Sequence, residues 1–281
     1  MKEQNIRKPM YAKEEMGRLV KWVFGLPLIF VIWLGLSLVM PAFADSQRML
    51  IVLNIISYLM FIMVTIIVVS RFLKFPFKKM LCETQAFRAK FLFAGFVPMF
   101  CVGIGTTLLW KVIQPQNFTY TLQPGWPIDF ALAFVLVTLA AFLEEVLCRA
   151  YIAYFVNDNM ENRPKKQALY ILASALVFTI AHFQNPEVSG SQAIYSMVFY
   201  FIMGAALMAV TLRTKGIEAA LGIHMANNLI NAWFFTYKDA ALITNAVYTH
   251  ANNIGPWMLV QSVLCVVLSM AAVLFVSKKR A

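Results

Sequence analysis

Charged residues are scarce in this sequence. Only 13% of the residues are charged, against about a quarter in soluble domains, while 61% are hydrophobic and the mean hydropathy is +0.71. A soluble globular domain is therefore excluded, and no loop is long enough to hold one. The composition predicts a polytopic membrane protein.

Several motifs of soluble enzymes are missing as well. The four cysteines form no Cys-x-x-Cys pair, and none is placed for an extracytoplasmic disulfide. There is no glycine-rich phosphate loop, internal repeat or low-complexity tract, and the HExxH spacing of one class of zinc protease is absent. Any chemistry must therefore lie within the hydrophobic segments.

Apolar runs recur at lengths that suit a membrane span, which needs about 20 residues. Eight of them predict an all-α, polytopic membrane helix bundle that forms a single integral membrane domain over residues 1–281. The predicted spans are Leu19–Met40, Met49–Ser70, Phe91–Ile113, Phe130–Phe155, Ala168–Phe183, Ala193–Leu212, Ile217–Phe235 and Trp257–Val276. We interpret the fifth and the seventh, which are marginal in isolation, as buried inside the bundle. The segments 114–129 and 236–256 contain prolines, glycines and aromatic residues and are interpreted as surface loops.

The basic residues predict the orientation. Twenty of the 24 lysines and arginines flank the spans on one side; Arg48, Lys111 and Lys238 fall on the other, and Arg149 lies within a span. The positive-inside rule places the basic side, and with it both termini, in the cytoplasm. The net charge of +11 thus reflects membrane-flanking charge and gives no reason to expect a nucleic-acid partner.

The N-terminus has two readings. Its basic start, apolar run and small-residue sequence Ala42-Phe43-Ala44 resemble a cleavable signal peptide. The apolar run is longer than a signal core of about 7–15 residues, which favours an uncleaved first helix.

The stretch LAAFLEEVLCRAYIAYF, residues 139–155, places three charges in the fourth span, where each is costly. Residues four apart share a helix face, so Glu145 and Arg149 are predicted to form a structural ion pair. Glu144 points about 100° away from Glu145 and has no local counter-ion. An unpaired glutamate within a membrane is a candidate general base, ion ligand or proton carrier.

Two further polar motifs lie in later spans. In FTIAHF, Phe178 and His182 share a face, although a lone histidine is more often a packed core residue. In GIHMANNLINAW, His224, Asn228 and Asn231 line one face of the seventh span, where polar residues commonly hold helices together.

The three motifs have the parts of a hydrolase if they meet. Glu144 and His182 could bind and deprotonate a water molecule, and His224 and Asn228 could donate hydrogen bonds to a developing oxyanion. Counted from the presumed cytoplasmic ends, their depths run from about 12 to about 22 Å, which tilted helices can accommodate.

The ordered motifs resemble those of the CPBP family of CAAX proteases and bacteriocin-processing proteins, also called Abi, which includes the Ras-converting endopeptidases. The three are Glu144-Glu145-x-x-x-Arg149, Phe178-x-x-x-His182 and His224-x-x-x-Asn228. The resemblance implies a catalytic core over residues 130–235, with N-terminal spans in 19–113 and a C-terminal span at 257–277 outside it. It implies an intramembrane endopeptidase with the roles given above, in which Glu145, Arg149 and Phe178 orient the site.

The resemblance also implies partners and a location. The substrate would be a peptide or protein, either lipid-modified or a bacterial peptide precursor. The protein itself would lie in the lipid bilayer of a bacterial plasma membrane. No cofactor is expected; Glu144, His182 and His224 could hold a zinc ion, but nothing in the motifs requires one.

Two alternatives to the peptidase stay open, and the first of them keeps the same fold. One is a non-proteolytic membrane scaffold or regulator, as in bacteriocin self-immunity or the binding of a sensor kinase or envelope enzyme. The other is a transporter, which would explain the intramembrane Glu and His but predicts internal repeats that the sequence lacks.

Overall fold

The computed structural model describes residues 8–154, 164–190, 192–242, 244–252 and 255–278. The helices are α1 (Lys8–Val39), α2 (Gln47–Ile67), α3 (Phe77–Leu81), α4 (Ala89–Ile113), α5 (Trp126–Glu145), α6 (Ile152–Tyr154), α7 (Pro164–Ala181), α8 (Ala193–Thr214), α9 (Glu218–Trp233) and α10 (Pro256–Lys278). The strands are β1 (Phe118–Tyr120), β2 (Phe235–Tyr237) and β3 (Tyr248–His250). Each predicted span has a helix at its position. The last residue of the fourth predicted span, Phe155, lies outside the described residues. The same is true of five of the basic residues that predict the orientation: Lys2, Arg7, Arg163, Lys279 and Arg280.

Five helical segments within the described residues are long and apolar enough to cross a membrane. They are Gln47–Phe72, Ala89–Ile113, Trp126–Tyr154, Ala193–Thr214 and Pro256–Ser277. Large apolar side chains such as Phe24, Phe93 and Val112 lie exposed on the bundle surface, where a soluble protein would place polar ones. The protein is thus a helical integral membrane protein, while eight crossings and cytoplasmic termini stay predictions.

Helix α9 is the centre of the bundle. It packs against α4, α5 and α8, and every residue from Glu218 to Ala226 is buried. Its contact with α4 depends on glycines that let the two backbones approach: a Cβ atom at Gly222 would lie 2.0 Å from the Leu92 carbonyl oxygen, and one at Gly95 would lie 2.2 Å from the Ala219 carbonyl oxygen. This close packing fixes the helix that carries His224 and Asn228.

A small three-stranded sheet covers one end of the bundle. Strand β3 pairs antiparallel with β1 and parallel with β2. Asp129 anchors the neighbouring loop, because its carboxylate accepts hydrogen bonds from Arg48 Nε at 2.6 Å and from Asn245 Nδ2 at 2.7 Å. The sequence predicts loops here instead of strands, since each strand is only three residues long and is stabilised by contacts between distant segments, such as the stacked rings of Phe235 and Tyr248.

Candidate active site

Glu144 and Glu145 end α5, and their side chains enter different environments. Immediately after them the helix widens into a π-helical turn, Val146–Tyr151, a feature often found at functional sites. Glu145 is completely buried, whereas the side chain of Glu144 keeps 27% of its surface exposed, on the wall of a large cavity. Two adjacent carboxylates therefore have different surroundings, as the helical geometry predicts.

Glu145 lies between Arg149 and His224. Its Oε2 atom is 3.3 Å from Arg149 Nε, so the predicted ion pair is present, and Oε1 is 2.7 Å from His224 Nδ1. A carboxylate can only accept, so His224 Nδ1–H donates this bond and the Nε2 atom is turned outward, 3.6 Å from Glu144 Oε2. The carboxylate thus orients the imidazole, and a proton on Nε2 would point away from Glu145.

His182 directs its Nε2 atom to the same carboxylate. It follows the last residue of α7, and its Nδ1–H donates to the Phe178 carbonyl oxygen at 2.7 Å. In the neutral ring Nε2 then carries the lone pair, and this atom is 3.7 Å from Glu144 Oε2. The ring of Phe178 packs against both imidazoles and lies under the Arg149 guanidinium, and its orienting role stays a prediction.

Asn228 lies one turn beyond His224 on α9 and lines the same cavity. Its Oδ1 atom accepts a hydrogen bond from Asn227 Nδ2 at 3.0 Å, which leaves the Nδ2 group as the donor of this side chain. Asn231 also lines the cavity. The structure therefore brings Glu144, His182, His224 and Asn228 to one space.

The cavity has a volume of about 1060 Å³ and mainly apolar walls. It extends from the polar motifs to the sheet, and all three histidines of the chain line it. Within the described residues it is lined by two carboxylates, Glu144 and Glu187, and by no lysine or arginine. A space of this size can accommodate an extended apolar peptide segment.

A second polar group beneath the sheet is absent from the sequence prediction. It contains Asn185 and Glu187, which follow His182 closely along the chain, together with Tyr200 of α8 and Tyr237 of β2. Tyr200 stacks on the His182 ring with the ring centroids 4.1 Å apart. The proximity of two polar residues to His182 is a signal in the sequence, but the tyrosines that complete the group come from other segments.

No group of three His, Cys, Asp or Glu side chains among the described residues has the arrangement of a metal site. Glu144, His182 and His224 thus lack the arrangement of a three-ligand zinc centre in this structure. Independence from a cofactor stays a prediction.

Comparison with known proteins shows what this region is similar to. Residues 125–230 match the family described as type II CAAX prenyl endopeptidase Rce1-like. The match confirms the resemblance predicted from the three motifs, and the segment contains every site residue named above from Glu144 to Asn228. The uncharacterised protein YyaK of Bacillus subtilis (strain 168) is 28% identical over 173 residues, which are 60% of this chain and 55% of that protein. This chain thus spans about half the length of that relative, and no solved structure matches it.

Proposed function

We propose that this chain, whose residues 125–230 match the Rce1-like family, is an intramembrane endopeptidase that hydrolyses a peptide bond at the membrane. The observation that carries the proposal is the convergence on Glu144 Oε2 of both imidazole Nε2 atoms, at 3.6 and 3.7 Å, on the wall of the cavity. The substrate would be an apolar or lipid-modified peptide segment, because the cavity walls are mainly apolar.

The first step is the activation of water. The Glu144 carboxylate takes a proton from a water molecule that also donates to His182 Nε2, which has a lone pair because Nδ1–H is bound to the Phe178 carbonyl. The resulting hydroxide attacks the carbonyl carbon of the scissile bond, and the carbonyl oxygen takes the negative charge.

The second step is the stabilisation and collapse of that intermediate. In its imidazolium form His224 donates through Nε2–H to the oxyanion while Nδ1–H stays bound to Glu145, and Asn228 donates through Nδ2. When the C–N bond breaks, the proton held by Glu144 passes to the leaving amine. The products are a carboxylic acid and an amine, which become a carboxylate and an ammonium group when the acid proton is lost and the amine gains one, and Glu144 returns to its ionised state.

The test uses the full-length protein in lipid vesicles with a library of apolar peptides, and mass spectrometry detects new termini. Wild type should cleave and should incorporate heavy oxygen from labelled water into the new carboxylate. Glu144→Gln and His182→Ala should each lower the cleavage rate by about 10²–10⁴-fold while the protein still inserts and accumulates. Glu83→Gln, which removes a carboxylate outside the cavity, is the matched control.

The same variants separate the peptidase from the non-proteolytic scaffold. If Glu144→Gln and His182→Ala support the wild-type cellular phenotype, cleavage is not the function, and a scaffold that retains these residues for packing is the better account.

A further inference from the structure

Glu187 is a second carboxylate of the cavity that the proposed reaction does not use. It lies in the short 3₁₀ turn Pro186–Val188 between α7 and α8, and it is 2% exposed. Its backbone is held in place, because Ser196 Oγ donates to the Glu187 carbonyl oxygen at 2.8 Å. Its side chain lines the same cavity as Glu144.

The two carboxylate oxygens of Glu187 are not equivalent. Oε1 accepts hydrogen bonds from the Tyr200 hydroxyl, from Asn185 Nδ2 at 3.2 Å and from the Tyr237 hydroxyl at 3.4 Å. Burial, and then the nearby Glu187 charge, raise the pKa of Tyr237, so this phenol stays protonated and able to donate. Oε2 is buried and has no hydrogen-bond partner among the described residues. The donors thus fix the carboxylate and leave one acceptor atom for a ligand.

The electrostatics of the cavity favour a cation at that atom. A buried carboxylate without a counter-ion is costly, and no lysine or arginine among the described residues lines the cavity, although the chain has a net charge of +11. We propose that Glu187 is the acidic end of a substrate subsite, and that its Oε2 atom pairs with a lysine or arginine side chain of the bound peptide. This assignment rests on the proposed peptidase function.

The position of the subsite predicts where the basic residue lies in the substrate. Tyr200 connects the two centres, since its ring stacks on His182 and its hydroxyl binds Glu187. Glu187 thus lies one tyrosine ring away from His182. The basic residue should therefore lie within a few residues of the cleaved bond, at a position that a lysine scan of the peptide locates.

The test measures binding without cleavage. The full-length Glu144→Gln variant in lipid vesicles is titrated with two pools of fluorescent apolar peptides by fluorescence anisotropy. One pool carries a lysine at each position in turn, and the other carries norleucine instead. The lysine pool should contain peptides that bind about tenfold more tightly than their norleucine counterparts, since a charge-assisted hydrogen bond replaces an apolar contact.

Adding Glu187→Gln should remove this preference and leave the affinity for norleucine peptides unchanged. Adding Glu83→Gln instead should leave the preference intact. If Glu187→Gln fails to accumulate, lysine and acetyl-lysine pools on the Glu144→Gln protein give the same comparison without that variant. Equal binding of the paired pools, including no binding of either, would overturn the subsite.

The two proposals fail separately. If wild type cleaves peptides but shows no preference for lysine, the subsite is wrong and the peptidase stands. If wild type cleaves nothing and the lysine preference exists and depends on Glu187, the peptidase is wrong and Glu187 remains the acidic end of a peptide-binding site.

Discussion

Helix α9 contributes to two buried polar clusters that differ in how completely their hydrogen bonds are made. In the Arg88–Glu218 cluster, at the first turn of α9, Glu218 accepts from Arg88 Nε at 2.9 Å and from Nη2 at 2.7 Å, and Arg88 Nη1 donates to the Thr214 carbonyl at 2.7 Å. In the cavity cluster of Glu144, Glu145, Arg149, His182 and His224, the contacts to Glu144 are longer than 3.5 Å. Glu144 Oε2 and the three guanidinium nitrogens of Arg149 have no aligned hydrogen bond among the described residues.

We interpret this difference as one between a structural ion pair and the proposed reactive site. A buried charge stabilises a fold only when its hydrogen bonds are made, as they are for Arg88 and Glu218. In the cavity cluster, Glu144 lines the cavity and its Oε2 atom has no hydrogen-bond partner among the described residues, which costs stability and suits the proposed reaction. We therefore expect changes in the first cluster to affect stability and changes in the second to affect the reaction rate.

The largest expected effect is on the rate. His224→Ala removes a proposed oxyanion donor and should lower the cleavage rate by about 10²–10³-fold, while the detergent-induced unfolding midpoint stays near that of wild type. His250→Ala, which removes another histidine from the cavity wall, is the matched control and should have a much smaller effect. Similar losses for both variants would mean that the cavity shape, and not a specific donor, determines the rate.

Arg88→Met should lower the stability and leave the cleavage rate unchanged, which is the opposite of the effect expected for His224→Ala. It leaves Glu218 buried without its cation and should lower the free energy of unfolding by about 3 kcal/mol. The rate per folded molecule should stay unchanged, because Arg88 and Glu218 do not line the cavity. Unfolding curves and active-fraction titration on the same preparation measure both quantities, and a lower rate per folded molecule would contradict the separation of the two clusters.

Gly222→Ala tests the packing that holds both clusters in place. The new Cβ atom would lie 2.0 Å from the Leu92 carbonyl oxygen, so α4 and α9 must move apart, at a cost of about 1–3 kcal/mol in unfolding free energy. Gly105→Ala on α4 is the control: its Cβ atom meets nothing within 4 Å, and the better helix propensity of alanine should make it neutral or stabilising. A tolerated Gly222→Ala would show that the backbone contact does not position α9.

The sequence predicts the local parts of this site better than the distant ones. The divergence of Glu144 and Glu145 and the Glu145–Arg149 pair follow from helical geometry, because all three residues lie within two turns of one another. The bond between Glu145 and His224 joins residues 79 positions apart, so helical spacing carries no information about it. The same is true of Tyr237, which reaches Glu187 only because β2 lies over the cavity.

In the fold, too, the sequence predicts local features better than contacts between distant segments. Hydrophobic runs locate the helices, because each run must bury or face lipid along its whole length. They do not decide how many helices cross the membrane: α9 has only 16 residues and is nearly all buried by protein, so its position depends on its neighbours and not on its hydropathy. The strands depend on contacts between separate segments, which no local pattern contains.

The smallest expected effect is at the surface. The Lys215 ammonium lies 3.4 Å from a Glu83 carboxylate oxygen, and 47% of the Lys215 side chain is exposed, so water and salt screen the pair. Glu83→Gln should therefore lower the free energy of unfolding by less than about 1 kcal/mol, with a smaller loss at high salt than at low salt, and leave the cleavage rate unchanged. Unfolding curves at both salt concentrations, beside those of Arg88→Met, check this. A loss as large as that of Arg88→Met would mean that the proximity of opposite charges is sufficient for stabilisation. The difference between the Arg88–Glu218 cluster and the cavity cluster could then not be attributed to how completely their hydrogen bonds are made.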